Sequence, residues 1–175
     1  MLLEDLMEFT AGKNSTRIKE DDCDLYTQED FEKDLHDMSN ETIDGCIINL
    51  IRSKAAPLSI RSSKKCLTSN FLLCKFDISK LDPWYFCYLF NESKGMEQQI
   101  NMLHQGSTVS VKKLTIKSVG ELNVTLLDID KQKLIGQLYC KSVKQQELLN
   151  KQAKNIVKLT KLVIAKIEED YENGR

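Results

Sequence analysis

The chain is poor in the residues that most often carry chemistry or break regular structure. Its 175 residues include two prolines, two histidines, one tryptophan and seven glycines. His36 and His104 lie in polar segments, with no cysteine at ligand spacing, so no zinc-type set can be assembled. The six cysteines (Cys23, Cys46, Cys66, Cys74, Cys87 and Cys140) contain no CxxC pair. Cys74 and Cys87 fall in apolar runs, where a thiol acts as a small hydrophobe, and the expectation is a reduced, cytoplasmic protein. No apolar run approaches the ~20 residues of a membrane span. The opening carries Glu4, Asp5 and Glu8, unlike the basic start of a secretory signal. The phosphate-binding, dinucleotide, zinc-protease and serine-hydrolase motifs are all missing, as are both methyltransferase motif shapes. These absences favour a binding module with no catalytic residues, no metal and no cofactor of its own.

Charge is abundant and unevenly placed. The whole chain carries 25 basic and 26 acidic side chains. The first 50 residues hold four basic and 14 acidic ones, a net −10, and the other 125 residues carry a net +9. A protein that binds a polyanion concentrates positive charge on one face. Segment 19–44 is strongly acidic and low in hydrophobicity, so it reads as mobile or partner-facing.

Hydrophobic patterning supports an α+β fold, with mixed short strands and helices followed by a long C-terminal helix. Residues 2–9 have the spacing of one or two amphipathic turns. Thr27 is a candidate N-cap, with Asp30 at the third helical position. Cys46–Ile51 reads as a buried strand after an Asp44-Gly45 turn, and Pro57 confines its segment to a loop or sheet edge. Leu67–Phe76 is the next strand pair or one long strand. Asp82-Pro83 then starts a helix whose apolar face is Trp84, Tyr85, Tyr88 and Leu89, with Gly95 a candidate break and Gly106 a left-handed cap. A short strand or turn is expected within 110–118, and another strand within 122–129.

From Asp130 onward there is no proline and one interior glycine, Gly136. Leu149, Ala153, Ile156, Thr160, Val163 and Ile167 alternate spacings of four and three, which is a heptad-like seam. A helix of this length reaches roughly 55 Å at ~1.5 Å per residue. That exceeds what the rest of the chain can cover, so a helical partner is expected. The division is therefore a domain over residues 1–129 and a spacer or dimerisation helix over 130–175.

Four polar, basic loops suit a phosphate backbone. They are Lys13, Asn14, Ser15, Thr16 and Arg17; Arg52, Ser53 and Lys54; Arg61, Lys64 and Lys65; and Gln105, Gly106, Ser107 and Thr108 with Lys112 and Lys113. Each combines a cation for phosphate with hydroxyl or amide groups that can reach base edges.

The order of motifs resembles the DNA specificity subunit of type I restriction-modification systems, and the match runs nearly end to end. It is carried by Leu3-Glu4-Asp5-Leu6 through Gly12 and by Thr68-Ser69-Asn70-Phe71 before a strand. Leu81-Asp82-Pro83-Trp84-Tyr85, Gln105-Gly106-Ser107-Thr108, and Gln132 with Ile135-Gly136 at the helix entry continue it. Asp44-Gly45 inverts the family's usual Gly-Asp order, and the family's prolines at the helix entry are absent. The resemblance implies a non-catalytic target recognition domain that binds double-stranded DNA. In that family two such domains, separated by antiparallel helices, read a split site and dock modification subunits. Those subunits methylate adenine with S-adenosylmethionine, and a restriction subunit can join them. With one recognition domain and one helix, this chain would restore the two-fold arrangement as a homodimer on a palindromic split site. The alternative is a regulatory or scaffold module that has the fold but no DNA readout.

Overall fold

The computed structural model describes residues 1–14, 24–36, 42–105 and 113–173, with Thr42 and Gln105 described by backbone alone. Its centre is a four-stranded antiparallel sheet made of β1 (Met7–Ala11), β2 (Thr42–Asn49), β3 (Lys54–Ser59) and β4 (Phe71–Phe76), in the order β1-β4-β2-β3. Around it lie α1 (Gln28–His36), α2 (Pro83–Glu92), α3 (Lys94–Gln105), the short α4 (Ile116–Gly120) and α5 (Ile129–Asn173). This is an α+β architecture, as the patterning predicts.

Strand side chains alternate between two cores. Cys46, Ile48, Ala55, Leu72, Cys74 and Phe76 face one side, where Phe86 and Phe90 of α2 close over them. Ile47, Ala56, Leu58 and Phe71 face the other side and meet Tyr26 and Phe31. Tyr26 packs edge-on to Phe71 with ring centroids 4.9 Å apart. The acidic segment thus supplies the lid of the second core, contrary to the expectation of a mobile strip. Its part at 24–36 is anchored because Tyr26, just before α1, and Phe31, on the buried side of that otherwise charged helix, both enter the second core. Residues 19–23 and 37–41 lie outside the described residues.

Local chemistry explains both the correct boundaries and the errors. Thr27 and Asp30 form a reciprocal capping box at the start of α1: Asp30 N–H donates to Thr27 Oγ1 at 3.3 Å, and Thr27 N–H donates to Asp30 Oδ2 at 2.9 Å. Asp82 caps α2 by accepting from Tyr85 N–H at 2.8 Å, with Pro83 in the first turn. Helix α2 is apolar nearly all round. Tyr85, Phe86, Cys87 and Phe90 are buried deepest, whereas Trp84, Tyr88 and Leu89 of the expected face are half-buried. Both sides are covered, one by the sheet and one by α5. The break after α2 falls at Ser93, whose hydroxyl accepts from Met96 N–H at 3.3 Å, and Gly95 continues into α3.

Asp44-Gly45 is not a turn before the strand. It lies inside β2, where the pairing with β3 shifts register between Thr42 and Cys46. Gly45 has φ +135°, and a Cβ there would meet the Cys74 carbonyl oxygen at 2.5 Å. The dipeptide is therefore a bulge that bends the strand. The opening residues form a 3-10 turn, Leu3–Asp5, before β1, in place of an amphipathic helix. No strand occurs among the described residues of 110–118 or 122–129. Thr115 and Ser118 cap each other and start α4, because short hydroxyl side chains offer the backbone a local alternative to a ladder. Beyond it the chain runs extended, with a single bridge from Leu2 to Asn123. Gly106 lies outside the described residues. Cys66 is disulfide-bonded, so the expectation of six free thiols fails at that position; Cys46, Cys74, Cys87 and Cys140 are free. Among the described residues, no helix is long and apolar enough to cross a membrane.

The 45-residue helix α5 is pinned at its first turns. The carboxamide of Gln132, 1% exposed, accepts from Asp82 N–H at 3.1 Å and donates to the carbonyls of Lys80 at 3.0 Å and Leu127 at 2.8 Å. One turn on, Gly136 lies against the capped start of α2, where a Cβ would fall 2.2 Å from Asp82 Oδ1. From Leu148 to Asn173 every residue is exposed. That projecting part spans roughly 40 Å at ~1.5 Å per residue.

Replacing Gln132 by Ala would leave the part-buried carbonyls of Lys80 and Leu127 and the Asp82 N–H without these partners. The expected loss is about 1–3 kcal/mol in urea-induced unfolding. Gln145→Ala, on the exposed side of the same helix, should stay within about 0.5 kcal/mol of the parent.

Candidate nucleic-acid interface

The strand order gathers several of the candidate loops at one end of the sheet. Ala11 pairs with Leu72, Asn49 with Phe71, and Asn49 with Lys54. The exit of β1, the β2–β3 turn and the entry to β4 therefore lie side by side. Lys13 N–H donates to the Leu67 carbonyl and the Lys13 carbonyl accepts from Ser69 N–H, both at 2.8 Å, which ties the first loop to the residues before β4. Leu50 N–H donates to the Asn70 carbonyl at 2.9 Å, and Leu114 N–H donates to the Leu50 carbonyl at 2.9 Å. Lys113, from the fourth loop, reaches Asn70 Oδ1 with its ammonium at 3.0 Å.

The β2–β3 turn is built by Asn49. Its side-chain oxygen accepts from the N–H groups of Ile51 at 3.1 Å and Arg52 at 3.0 Å, an Asx-type turn. Ser53 completes the reversal with φ 51°. Its hydroxyl lies 3.3 Å from His104 Nε2, which joins the end of α3 to the same region. A cavity of about 370 Å³ opens beside this turn, lined by Thr27, Gln28, Asn49, Arg52, Thr68 and Asn70 among others.

The candidate cations differ in their commitments. Arg52 Nη1 lies 2.8 Å from Glu32 Oε1 of α1. Lys54 Nζ donates to the Asn91 carbonyl at 2.8 Å and lies 3.7 Å from Glu92. Lys65 Nζ lies 2.8 Å from Asp30 in a pair mostly screened from solvent. By contrast, Lys13 and Lys64 are exposed and have no ion pair among the described residues. Arg61, Lys64 and Lys65 belong to the β3–β4 connection, which begins at the opposite end of the sheet and runs beside α1. The structure does not place that group with the other three. Ser15, Thr16 and Arg17, and Gly106, Ser107, Thr108 and Lys112, lie outside the described residues.

Behind the third loop is a buried polar knot that the sequence reading overlooked. Asp34 accepts from the Tyr26 hydroxyl and the Ser62 hydroxyl, each at 2.9 Å. Burial pushes the Asp34 pKa above the carboxylate range, more than hydrogen bonds from Ser59, Ser62 and Tyr26 pull it down. Burial and the Asp34 charge push the Tyr26 phenol up. Burial also pulls Asp30 upward, but hydrogen bonds from Lys65 and Thr27 outweigh it and hold the carboxylate below its usual range. The sequence marked Asp30 only as the third helical position after the Thr27 cap, and nothing marked Asp34 except its spacing of four from Asp30, which puts both on the face that carries Phe31.

The proposed seam on α5 is exposed along its length. Leu149, Ile156, Val163 and Ile167 are each at least half exposed, and Ala153 and Thr160 are exposed between them. Leu148, Val157, Leu159, Leu162 and Ile164 are exposed as well, so apolar surface is broader than one stripe.

No protein-family model matches the sequence, and no curated protein matches it. Solved structures do. The HsdS subunit from Thermoanaerobacter tengcongensis matches with a TM-score of 0.54 at 13% identity, over 87% of this chain and 39% of that one. A chain from a structural study of complex assembly and conformational transition of the type I R-M system matches with a TM-score of 0.59 at 14% identity, over 93% of this chain and 42% of that one. The chain thus spans about two fifths of the length of each neighbour. The fold is HsdS-like: one α+β body followed by a long helix.

The Asp30–Lys65 pair supplies a test of which basic residues are structural. A carboxylate held below its usual pKa adds stability above the unfolded value of about 4, and that stability is lost as pH falls through the folded value. Lys65→Ala should cost about 1.5–3 kcal/mol near neutral pH and less in acid. Lys64→Ala, next to it and exposed, should leave the urea midpoint unchanged at both pH values.

Proposed function

We propose that this chain is a DNA-reading specificity module of a type I restriction-modification system, without catalytic groups of its own. The observation that carries the reading is the union of an HsdS-like fold with the convergence of polar, cationic loops at one end of its sheet. Lys13, Arg52, Ser53, Lys113 and the β4 entry share that end, and a duplex laid across it would meet cations for phosphate and short polar side chains for base edges. The 45-residue helix would pair with that of a second copy through Leu149, Ala153, Ile156, Thr160, Val163 and Ile167. The dimer would present two reading ends to a palindromic split site. Modification subunits would dock on it and hold the S-adenosylmethionine, and a restriction subunit can be accommodated in the same scheme.

A second reading has one specific observation behind it. Arg52, Lys54 and Lys65 are each engaged by acids of the same chain, which lowers the positive field available to a polyanion. A scaffold or regulatory module of the same fold would show this engagement and would bind protein partners alone.

The two readings separate in a mobility-shift assay with the modification partner present. The expected result is a shift specific to one duplex sequence, with log K falling as log salt rises. Removing a phosphate contact by Lys13→Ala should flatten that slope by about 0.9, whereas Lys64→Ala, on the β3–β4 connection away from that end, should leave it unchanged. Equal binding of random duplexes, or none, would reject DNA reading and leave the scaffold. Dimerisation is read separately by light scattering. The parent should be a dimer at micromolar concentration, and Ile156→Lys with Val163→Lys should convert it to a folded monomer.

A further inference from the structure

The sheet end that gathers the polar loops has a centre. Strand β4 lies between β1 and β2, so the turn that enters it, Thr68–Phe71, has the exit of β1 on one side and the β2–β3 turn on the other. One backbone bond closes this turn and two more tie it to its neighbours. Phe71 N–H donates to the Thr68 carbonyl at 2.9 Å, Ser69 N–H to the Lys13 carbonyl at 2.8 Å, and Leu50 N–H to the Asn70 carbonyl at 2.9 Å. A turn tied to both neighbouring segments cannot drift along the sheet edge, so the Asn70 side chain starts from a fixed position.

The Asn70 carboxamide is oriented as well as placed. Lys113 Nζ lies 3.0 Å from its Oδ1. An ammonium only donates, so this contact settles which end of the amide is oxygen. Nδ2 and the second lone pair of Oδ1 have no partner among the described residues. Nearby amides differ. Asn49 accepts two backbone N–H groups and donates to Gln28 at 2.6 Å, and Gln28 in turn donates to Glu32 at 2.8 Å. An oriented donor beside an acceptor is the pair that an adenine edge satisfies in the major groove, where N7 accepts and the N6 amino group donates.

The geometry points to Asn70 as a specificity-determining residue that reads one adenine, with Lys13 beside it on the phosphate backbone. This assignment rests on the DNA-reading function proposed above. Lys113 is its positioning residue, since it holds the carboxamide without needing to touch a base.

The test is selection of bound duplexes from a random pool, with the modification partner present, by the full chain and three variants. The parent should enrich an adenine at a position that Asn70→Ala no longer selects, with discrimination there falling roughly ten- to hundredfold. Asn70→Asp keeps the acceptor and loses the donor, so its preference at that position should move to cytosine, whose N4 amino group donates. Lys13→Ala should weaken all sequences equally. Asn70→Asp also retains the Lys113 contact as an ion pair, so it remains informative if Asn70→Ala unfolds, which circular dichroism would show. Unaltered base preference in both Asn70 variants, or equal loss of affinity for every sequence, would overturn the assignment while DNA reading stands. A parent that binds no duplex would end both.

Discussion

The direction in which the long helix leaves the body is decided within its first two turns. Gln132 is buried among three backbone groups from two segments: the Lys80 carbonyl and the Asp82 N–H on the approach to α2, and the Leu127 carbonyl just before α5 itself. A carboxamide satisfies all three because it offers a donor pair and an acceptor in one plane. Gly136 then allows the helix backbone to rest on the Asp82 cap, where any side chain would collide. Trp84, Tyr88 and Tyr139 fill the seam beyond this contact, with ring separations of 5.8 to 6.3 Å. The same Asp82 thus caps α2 and seats α5. Helix capping and interelement packing are here a single constraint, and the relation of the body to the projecting helix depends on it.

The distribution of charge has a structural side that the net count hides. Asp30 and Asp34 lie in the acidic third of the chain, yet both are buried. Asp30 neutralises Lys65, and Asp34 gathers hydroxyls from Tyr26 and Ser62. Glu32, on the outer face of the same helix, meets Arg52. Acids from α1 thereby engage cations from two of the loops that the sequence nominated for phosphate. Charge repulsion among the acids is relieved where they face these cations. Lys13, Lys64 and Lys113 are exposed and form no ion pair with an acid of α1 among the described residues.

Much of the framework was legible because it is written in local rules. Asp82-Pro83 marks a helix start through capping and fixed φ, Thr27 and Asp30 do so through reciprocal bonds, and the absence of proline after Asp130 leaves a helix uninterrupted. Pro57 indicated an edge, and β3 is one. Errors came where a local signal served a distant partner. Asp44-Gly45 has turn chemistry, but the left-handed φ of Gly45 bends a strand around the Cys74 carbonyl. Thr115 and Val119 favour strands by propensity, yet Thr115 caps a helix with Ser118. At the candidate interface, cations could be picked out by type. Their partners could not, since Glu32 and Arg52, or Asp30 and Lys65, are separated by twenty or more residues and meet only when α1 folds over the sheet. Asn70 was visible only as part of a polar pair before an aromatic strand. Its orientation by Lys113 is a tertiary fact.

An α-helix without interruption links distance to angle. Each residue added between Gly136 and the exposed apolar stretch would advance the far end by ~1.5 Å and also swing it by ~100° about the axis. A single insertion would therefore aim that stretch at a different quadrant while barely changing its reach. Insertions of three, four or seven residues come close to restoring the original azimuth. Length changes that keep the far end aimed the same way are confined to such steps, and what changes smoothly with length in a flexible tether changes here in discrete screw increments.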